Sequence, residues 1–423
     1  MVEAIMYTTL GELIRQNRKQ ANLKLSELAT RSKVSKGVIS KLENGETKRP
    51  ELKTILPIAK SLAIPTVQII EYYIDIDERP EVLGELFMKA IELSNLTLIA
   101  KVALRFLQST QEESYKLVER LYDMTSAVEE TAVKLTVYEL IIKYSREHGI
   151  QKYLAKSMFQ KYLIERDDFG RLQATYQSAR YLLNYEEFLS SEEQILMNYK
   201  IGVHAYNLRL FEECIKLCNH VLTKDKTTSR MKADATLAIC GSYYYLGDYN
   251  MAESYLDIFN TYSYHHVKEN VLYLRGAIDG KRGNVAMAIA QLKASLGDSS
   301  ENTAIHIVNE LLELYLQNND FDPIEELLSL EDKIIDIKIS TPFKKSELAY
   351  FYKLKGDFYK KKGLYNHAID CYLKSAYDYA KISDHSQSYK CVNQILSLCT
   401  NEIAEEKIQV LQKIQEMYGI LGK

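Results

Sequence analysis

The residues best suited to chemistry in this sequence occur between Ser35 and Lys41, where serine, lysine and glycine follow one another closely. Such residues on a short helix suit a DNA major groove, because lysine and serine bind phosphate oxygens and base edges while glycine permits close approach. Helical spacing turns Val38, Ile39 and Leu42 toward a core and leaves the polar set facing outward. The predicted DNA-facing residues of this helix are Ser35, Lys36, Gly37, Ser40 and Lys41.

Basic residues outside this helix form a second set, suited to phosphate contacts that fix orientation without reading sequence. Arg15 and Arg18 lie on the first predicted helix. Lys48 and Arg49 lie in the loop after the DNA-facing helix. Arg18 has two interpretations, since it either contacts phosphate or pairs with Glu43 and holds the domain together.

Five short helices are predicted to position these residues within a domain spanning 9–74. The predicted helices are 9–20, a pair within 25–45, 51–62 and 65–73. Ser35 is a natural N-cap for the second helix of the pair, and Asn44-Gly45 is suited to end it. Pro65 opens the fifth helix, a position that tolerates its missing N–H.

The pattern over these helices resembles the helix-turn-helix domain of the phage-repressor (XRE) family. The matching residues are Leu10…Ile14-Arg15…Arg18…Leu25-Ser-Glu-Leu-Ala…Val34-Ser35…Ile39-Ser40-Lys41-Leu42-Glu43-Asn44-Gly45. The resemblance is specific, because many positions match at fixed spacing from Thr9 to about Tyr73. It implies double-stranded DNA as a partner, and it implies the pairing of Arg18 with Glu43.

Charge is distributed unevenly along the 423 residues. The segment 9–62 holds 12 Lys and Arg against 5 Asp and Glu, whereas the whole chain has a formal net charge of −3, which leaves −10 for the remainder. A basic head on an acidic body is typical of a DNA-binding module joined to a module that does not bind DNA.

Composition argues against several functional classes. The six cysteines include no Cys-x-x-Cys pair and no histidine at zinc-ligand spacing, so we predict packing roles and no metal or other cofactor. No Ser/His/Asp, metal or phosphate-loop arrangement indicates catalysis, and we predict that the chain is not an enzyme. With no signal peptide and no apolar run of about 18 residues, we predict a cytoplasmic protein without a membrane partner.

Residues 75–84 are predicted to link the head to a long helical domain over 85–423, because Asp75-Ile-Asp-Glu-Arg-Pro80 has little to bury. Beyond this link the apolar spacing is helical nearly throughout, with almost no strand signal. The sequence therefore predicts an all-α protein. A closing helix over 402–418 is predicted to cap the array, with Leu411 and Ile414 facing inward.

A turn pattern recurs along this domain. It stands at Gly247-Asp-Tyr249, Gly283, Asn319-Asp-Phe321 and Gly363-Leu-Tyr365, and the first three copies are 36 residues apart. This interval is close to the tetratricopeptide period of about 34 residues, and the body resembles that repeat family from about 150 to 400. The resemblance implies a right-handed α-solenoid of helix hairpins whose first helices line a concave face.

Polar and aromatic side chains on these first helices are candidates for binding an extended peptide, because asparagine offers a peptide unit both a donor and an acceptor. The predicted peptide-contacting residues are Tyr199, Tyr206, Asn207, Tyr245, Asn270, Tyr273, His306, Asn309 and Lys353. Each tyrosine alone is also explained by packing, so the prediction rests on the asparagines taken together.

The head and the body together resemble the peptide-pheromone receptors of Gram-positive bacteria, the Rap, Rgg, NprR, PlcR and PrgX group. Length and repeat array are most similar to the NprR-type regulators. The resemblance implies a transcriptional regulator that acts in quorum sensing as a homodimer or higher homo-oligomer. A short oligopeptide pheromone in the concave groove would alter the subunit arrangement and thereby the binding of a DNA operator.

Two alternatives remain open. In the first, the repeats of a constitutive repressor serve only dimerisation and protein contacts. In the second, a helical bundle around 85–150 also docks a response regulator in the manner of Rap, with Gln108 and Gln111 available on that bundle.

Overall fold

The computed structural model describes residues 9–47, 49–297, 299–332, 342–398 and 404–421. Every regular element in these ranges is a helix, and no strand occurs in them, which confirms the all-α prediction. The chain divides into two compact units, unit 1 over 1–164 and unit 2 over 165–423. None of the described helices has the length and apolarity needed to cross a lipid bilayer.

Unit 1 is built from ten described helices around one apolar core. They are α1 (Leu10–Gln20), α2 (Leu25–Ser32), α3 (Lys36–Glu43), α4 (Leu52–Ser61), α5 (Thr66–Ile76), α6 (Pro80–Glu92), α7 (Leu96–Leu107), α8 (Ser114–Ser126), α9 (Thr131–Glu147) and α10 (Gln151–Glu165). The first five are the helices predicted for the head. Buried side chains from Leu13 in α1 to Tyr153 in α10 form a single cluster, so α6–α10 continue the core of the head.

Capping residues set the ends of the helices that carry the DNA-facing residues. The Thr9 hydroxyl accepts the backbone N–H of Glu12 at 3.1 Å at the start of α1. The Ser35 hydroxyl accepts the backbone N–H of Val38 at 3.3 Å, which confirms Ser35 as the N-cap of α3. These bonds satisfy N–H groups that have no partner within the helix.

The segment 75–84, predicted as a linker, lies within unit 1. Asp77 is only 1% exposed, and Arg79 donates to its two carboxylate oxygens at 3.0 and 2.6 Å. The carbonyl of Glu78 accepts a hydrogen bond of 2.5 Å from the hydroxyl of Ser109. The Arg79–Asp77 bonds hold the turn between α5 and α6, and the Ser109 bond joins this turn to the segment that follows α7.

Unit 2 continues the chain as successive helix hairpins. It opens with the 3-10 helix Phe169–Arg171, α11 (Leu172–Leu182) and the 3-10 helix Leu183–Phe188. The hairpins pair α12 (Ser191–Asn207) with α13 (Phe211–Lys224), α14 (Arg230–Leu246) with α15 (Tyr249–Phe259), α16 (His265–Lys281) with α17 (Val285–Gly297), α18 (Glu301–Asn318) with α19 (Asp322–Leu328), and α20 (Pro342–Lys361) with α21 (Tyr365–Lys381). The last described helices are α22 (His385–Leu398) and α23 (Ala404–Leu421).

Each hairpin packs on the next, and the first helices of successive hairpins touch, as α12 touches α14 and α16 touches α18. This is the tetratricopeptide-like solenoid that the repeats predict. The hairpins turn at residues with a left-handed backbone, namely Arg209, Gly247, Gly283, Asn319 and Gly363. After each of them the next N–H bonds the carbonyl five residues earlier, as from Asp248 to Tyr243 at 3.0 Å.

The closing helix α23 packs on α21 through Val410 and Met417, which are 8% and 7% exposed. Ile414 is partly buried between them. Leu411 is 55% exposed, so the prediction that it faces inward is wrong. The buried stripe follows the spacing i, i+4, i+7 from Val410, and Leu411 falls outside that stripe.

Candidate DNA-binding surface and ligand cavity

The outer face of α3 carries the residues predicted to contact DNA. Ser35, Lys36, Gly37 and Lys41 are exposed, and Ser40 is half-buried. Lys36 and Lys41 form no ion pair with any residue that the structure describes, so both ammonium groups are available to phosphate or base. Arg15 and Arg49 are exposed as well, whereas Lys48 lies outside the described residues.

Arg18 pairs with Glu43, as one of the two interpretations predicted. Its Nε and Nη2 donate to the two carboxylate oxygens of Glu43 at 2.6 and 2.7 Å, and its Nη1 donates to the carbonyl of Leu23 at 2.8 Å. The side chains are 12% and 4% exposed. The hydrogen bond that Arg18 donates to Glu43 raises the pKa of Arg18 above its usual value. Arg18 thus joins α1 to the end of α3, and little of its guanidinium is left for phosphate.

One prediction for α3 is wrong. Val38 is 39% exposed, whereas Ile39, Leu42 and Glu43 are buried. The buried stripe runs at i, i+3, i+4 from Ile39, because Glu43 must face inward to bond Arg18. Val38 consequently lies outside the stripe, on the same side of the helix as the DNA-facing residues.

A cavity of about 310 Å³ opens in unit 2 among α12, α14, α16, α18 and the first turn of α20. We call it the tyrosine cavity. Its lining consists of Tyr199, Val203, Tyr206, Asp234, Leu237, Ala238, Gly241, Tyr244, Tyr245, Asn270, Tyr273, Leu274, His306 and Phe343. It brings together six residues predicted to contact peptide, namely Tyr199, Tyr206, Tyr245, Asn270, Tyr273 and His306.

Phe343 forms a wall of the tyrosine cavity that the sequence did not indicate. Its ring centroid lies 4.8 Å from that of Tyr206 and 6.3 Å from that of Tyr245, and it stacks on His306 at 5.3 Å. Phe343 lies in the first turn of α20, whereas Tyr206 and Tyr245 belong to the first two hairpins. The first turn of α20 therefore reaches across the concave face to the opposite side of the cavity.

Arg209 makes a second connection across the same face. Its Nη2 donates to the hydroxyl of Ser346 at 2.6 Å, and its Nε lies 3.2 Å from a carboxylate oxygen of Asp384. Its guanidinium also lies over the ring of Tyr245, 5.6 Å from the centroid. Repeats of a solenoid ordinarily contact only their neighbours, so these bonds are a specific closure of the groove. We call them the Arg209 bridge.

A second cavity of about 430 Å³ adjoins the first and shares Tyr244 and Tyr245 with it. We call it the polar cavity, since five of its eleven lining residues are charged. Lys281 lies 2.5 Å from Glu313 and 3.6 Å from Glu310. Burial raises the pKa of Glu310 to about 7, against the opposing charge of Lys281. The Tyr244 hydroxyl donates to Glu310 at 2.7 Å.

Three residues predicted to contact peptide lie outside both cavities. Asn309 is 2% exposed and donates to the carbonyl and to a carboxylate oxygen of Glu347, each at 3.0 Å. Lys353 pairs with Asp357 at 2.8 Å. Asn207 ends α12 and lines neither cavity. Asn309 and Lys353 thus have partners within the chain, and Asn270 is the predicted asparagine that lines the tyrosine cavity.

Glu347 is held ionised beneath the tyrosine cavity. Burial by itself would raise the pKa of this carboxyl, but hydrogen bonds from His306 and Asn309 and the charge of Arg209 keep the pKa below its usual value. Glu347 is 5% exposed, and the Tyr245 hydroxyl donates to it at 3.2 Å. The carboxylate thus orients a residue of the cavity wall.

The described cysteines behave as packing residues. Cys214, Cys218, Cys240 and Cys391 are buried, Cys371 is half-buried, and all five are free thiols. Cys399 lies outside the described residues. In the described ranges no group of three or more His, Cys, Asp or Glu is arranged to hold a metal ion.

Comparison with solved structures finds distant similarity along most of the chain. A Rap protein complexed with competence and sporulation factor is 10% identical, with 82% of this chain and 98% of that chain covered and a TM-score of 0.36. The structure of phAimR is 14% identical, with 95% and 100% covered and a TM-score of 0.39. PlcR of Bacillus thuringiensis, in complex with the peptide PapR7 and DNA, is 14% identical, with 92% and 100% covered and a TM-score of 0.28.

The N-terminal segment gives the more specific match. No curated protein sequence is significantly similar to the chain. Residues 14–69 match the family model HTH_3, described as helix-turn-helix, and α1–α5 supply its helices. The head of the chain is therefore a DNA-binding helix-turn-helix domain of the XRE type.

Proposed function

We propose that this chain is a cytoplasmic transcriptional regulator that binds an operator through α3 and a short signalling peptide in the tyrosine cavity. It acts without catalysis, as a homodimer or higher homo-oligomer whose heads contact half-sites about one helical turn, or a multiple of it, apart. The peptide changes the arrangement of the subunits and so changes operator binding. The observation that carries the proposal is a cavity lined by aromatic rings from the first helices of successive hairpins.

The chemistry of the two cavities favours a peptide as the ligand. The rings of the tyrosine cavity suit an apolar side chain, while Asn270 and Asp234 at its wall suit main-chain groups. The polar cavity lies directly beyond Tyr244 and Tyr245. An extended peptide rises about 3.3 Å per residue, so neighbouring side chains of one peptide can occupy both cavities.

The tyrosine hydroxyls of the cavity are uncharged at neutral pH, and that of Tyr245 already donates to Glu347. Burial raises the pKa of Tyr206, Tyr245 and Tyr273 well above the usual value, so the three phenols stay protonated. A neutral phenol both donates and accepts, which matches the alternating groups of a peptide main chain. These three phenols therefore add no negative charge to a wall that already includes Asp234.

Phe343 and the Arg209 bridge supply the coupling in this proposal. Both join the cavity wall to α20, so a ligand that favours one spacing of these helices biases the arrangement of the later hairpins. A ligand shifts such an equilibrium only by its differential affinity for the two arrangements. Contact of those hairpins with a second subunit would carry the change to the heads.

A substitution that fills the cavity tests this proposal. Ala238 lines the cavity, and Ala238→Leu is expected to weaken binding of a peptide selected from a fluorescent library of short peptides at least about tenfold, or about 1.4 kcal/mol. Ala286→Leu, at an exposed position of α17, is the matched control and should bind as the wild type does. Equal binding by both variants would place the peptide outside this cavity. Failure to select any peptide would favour repeats that serve dimerisation alone.

A further inference from the structure

The exposed apolar side chain of Val38 is unexplained by the packing of the head. Among the described residues of α1–α5, the large apolar side chains exposed to solvent are Val38 and Ile76, and Ile76 is the last residue of α5. Val38 stands at 39% exposure on α3, the helix that carries the predicted DNA contacts. An isolated exposed valine is ordinary on a protein surface. On the helix that carries the predicted DNA contacts, however, such a side chain is placed to contact DNA.

The surroundings of Val38 are polar, basic and open. Ser35, Lys36 and Gly37 before it are exposed, and Lys41 lies one turn further along the same side. A Cβ built on Gly37 meets no atom within 4 Å, so the surface beside Val38 carries no side chain that would hold a duplex away. The lysines on either side are suited to phosphate oxygens or guanine edges.

We propose that Val38 contacts the C5-methyl group of a thymine in the major groove and that this contact contributes sequence specificity. The thymine methyl is an apolar group on a major-groove edge that is otherwise a pattern of donors and acceptors. A branched apolar side chain flanked by lysines complements a methyl group flanked by phosphates. The proposal rests on the DNA-binding role of the head and adds a base-reading residue to the polar set.

Deoxyuridine substitution tests the contact directly, because uracil pairs like thymine but lacks the methyl group. The probe is a duplex selected from a randomised library by the full-length wild-type chain, with each thymine replaced in turn by deoxyuridine. We expect one thymine per half-site at which the replacement weakens wild-type binding about threefold to tenfold. Val38→Ala should bind the thymine and uracil duplexes equally at that position.

Two further variants separate this contact from a general loss of binding. Val38→Ser removes both γ-methyl groups and adds a hydroxyl, and it should also lose the preference for thymine. Lys36→Ala should weaken binding to both duplexes alike, since it removes charge and not an apolar contact. The proposal is supported if the Val38 variants no longer distinguish the thymine duplex from the uracil duplex while Lys36→Ala still does.

Three results would overturn it. If Val38→Ala keeps the wild-type preference for thymine over uracil, Val38 does not contact the methyl group. If no thymine position responds in the wild type, the selected site is read without such a contact. If no duplex is selected at all, the DNA-binding role of the head fails together with the contact, and this outcome is distinct from the first two.

Discussion

Replacing Glu43 by alanine is expected to destabilise the head by about 3 kcal/mol or more. The change leaves the guanidinium of Arg18, 12% exposed and bonded to both oxygens of Glu43, without its partner between α1 and α3. Removing one member of a buried ion pair typically costs about 3–5 kcal/mol, because the remaining charge is left desolvated. Hydrogen exchange of the amides of α1 and α3 in the full chain measures the loss.

An exposed pair provides the matched control. Glu51 and Lys53 lie 2.8 Å apart with side chains 64% and 82% exposed, and the Glu51 side chain makes no capping bond to α4. Glu51→Ala should therefore leave the free energy of unfolding nearly unchanged, because solvent screens an exposed ion pair. The double variant Arg18→Met with Glu43→Leu should recover most of the lost stability. A cost below about 1 kcal/mol for Glu43→Ala would contradict the structural role assigned to this pair.

The variant Gly11→Ala is expected to lose stability although alanine is the better helix former. A Cβ at residue 11 would lie 2.1 Å from the carbonyl oxygen of Leu42, and a backbone atom cannot turn away as a flexible side chain can. Overpacking of this kind typically costs about 1–3 kcal/mol, more than the roughly 0.5–1 kcal/mol that alanine gains over glycine within a helix. The displaced helix is α3, so operator binding should fall with stability.

Gly37→Ala is the matched control for stability. Gly37 lies in α3, and its added Cβ would meet nothing within 4 Å, so the variant should be as stable as the wild type or slightly more stable. Urea denaturation of the wild type and the two glycine variants measures the change in the free energy of unfolding. Hydrogen exchange of the amides in α1–α3 then shows whether the loss lies in these helices. Equal stability of Gly11→Ala and Gly37→Ala would show that α1 and α3 are not in the close contact described.

The sequence predicted the hairpins because their turns carry local signals. Gly247, Gly283, Asn319 and Gly363 stand at the left-handed residues of four turns, where glycine and asparagine are favoured by backbone sterics. Arg209 adopts the same conformation at φ 59° without such a signal. Its side chain instead bonds Ser346 and Asp384. These partners are far away in sequence, so the local residue pattern around Arg209 could not predict its left-handed backbone.

The sequence predicted only part of the tyrosine cavity, because some of its residues also depend on distant contacts. Helical spacing identified Tyr206, Tyr245 and Tyr273 on the inner face, but the same spacing included Asn309, whose amide bonds Glu347, 38 residues away. Phe343 closes the cavity from the start of α20, a contribution that depends on how the solenoid bends. Periodicity reports which face of a helix is turned inward, and it does not report which distant element meets that face.

The extent of unit 1 also depended on tertiary contacts. Acidic residues before Pro80 are typical of an exposed link, yet the side chain of Asp77 is buried by its bonds to Arg79. Val38 shows the converse case, because a valine next to Ile39 is expected inside until the pairing of Glu43 with Arg18 fixes the buried stripe. In both places an ion pair, Arg79–Asp77 or Arg18–Glu43, determines which of the neighbouring side chains are buried.

The most direct test of the central claim is the operator affinity of the full chain with and without the cavity-binding peptide. The affinity for a library-selected duplex, measured by fluorescence anisotropy, should change about 5-fold to 150-fold at saturating peptide, the usual range for coupled sites. The Ala238→Leu variant should bind the duplex as the wild type does without peptide, and it should need at least about tenfold more peptide to show the same change. If the peptide occupies the cavity and the wild-type affinity for the duplex stays the same, the cavity and the head are not coupled, and the proposed regulation is contradicted.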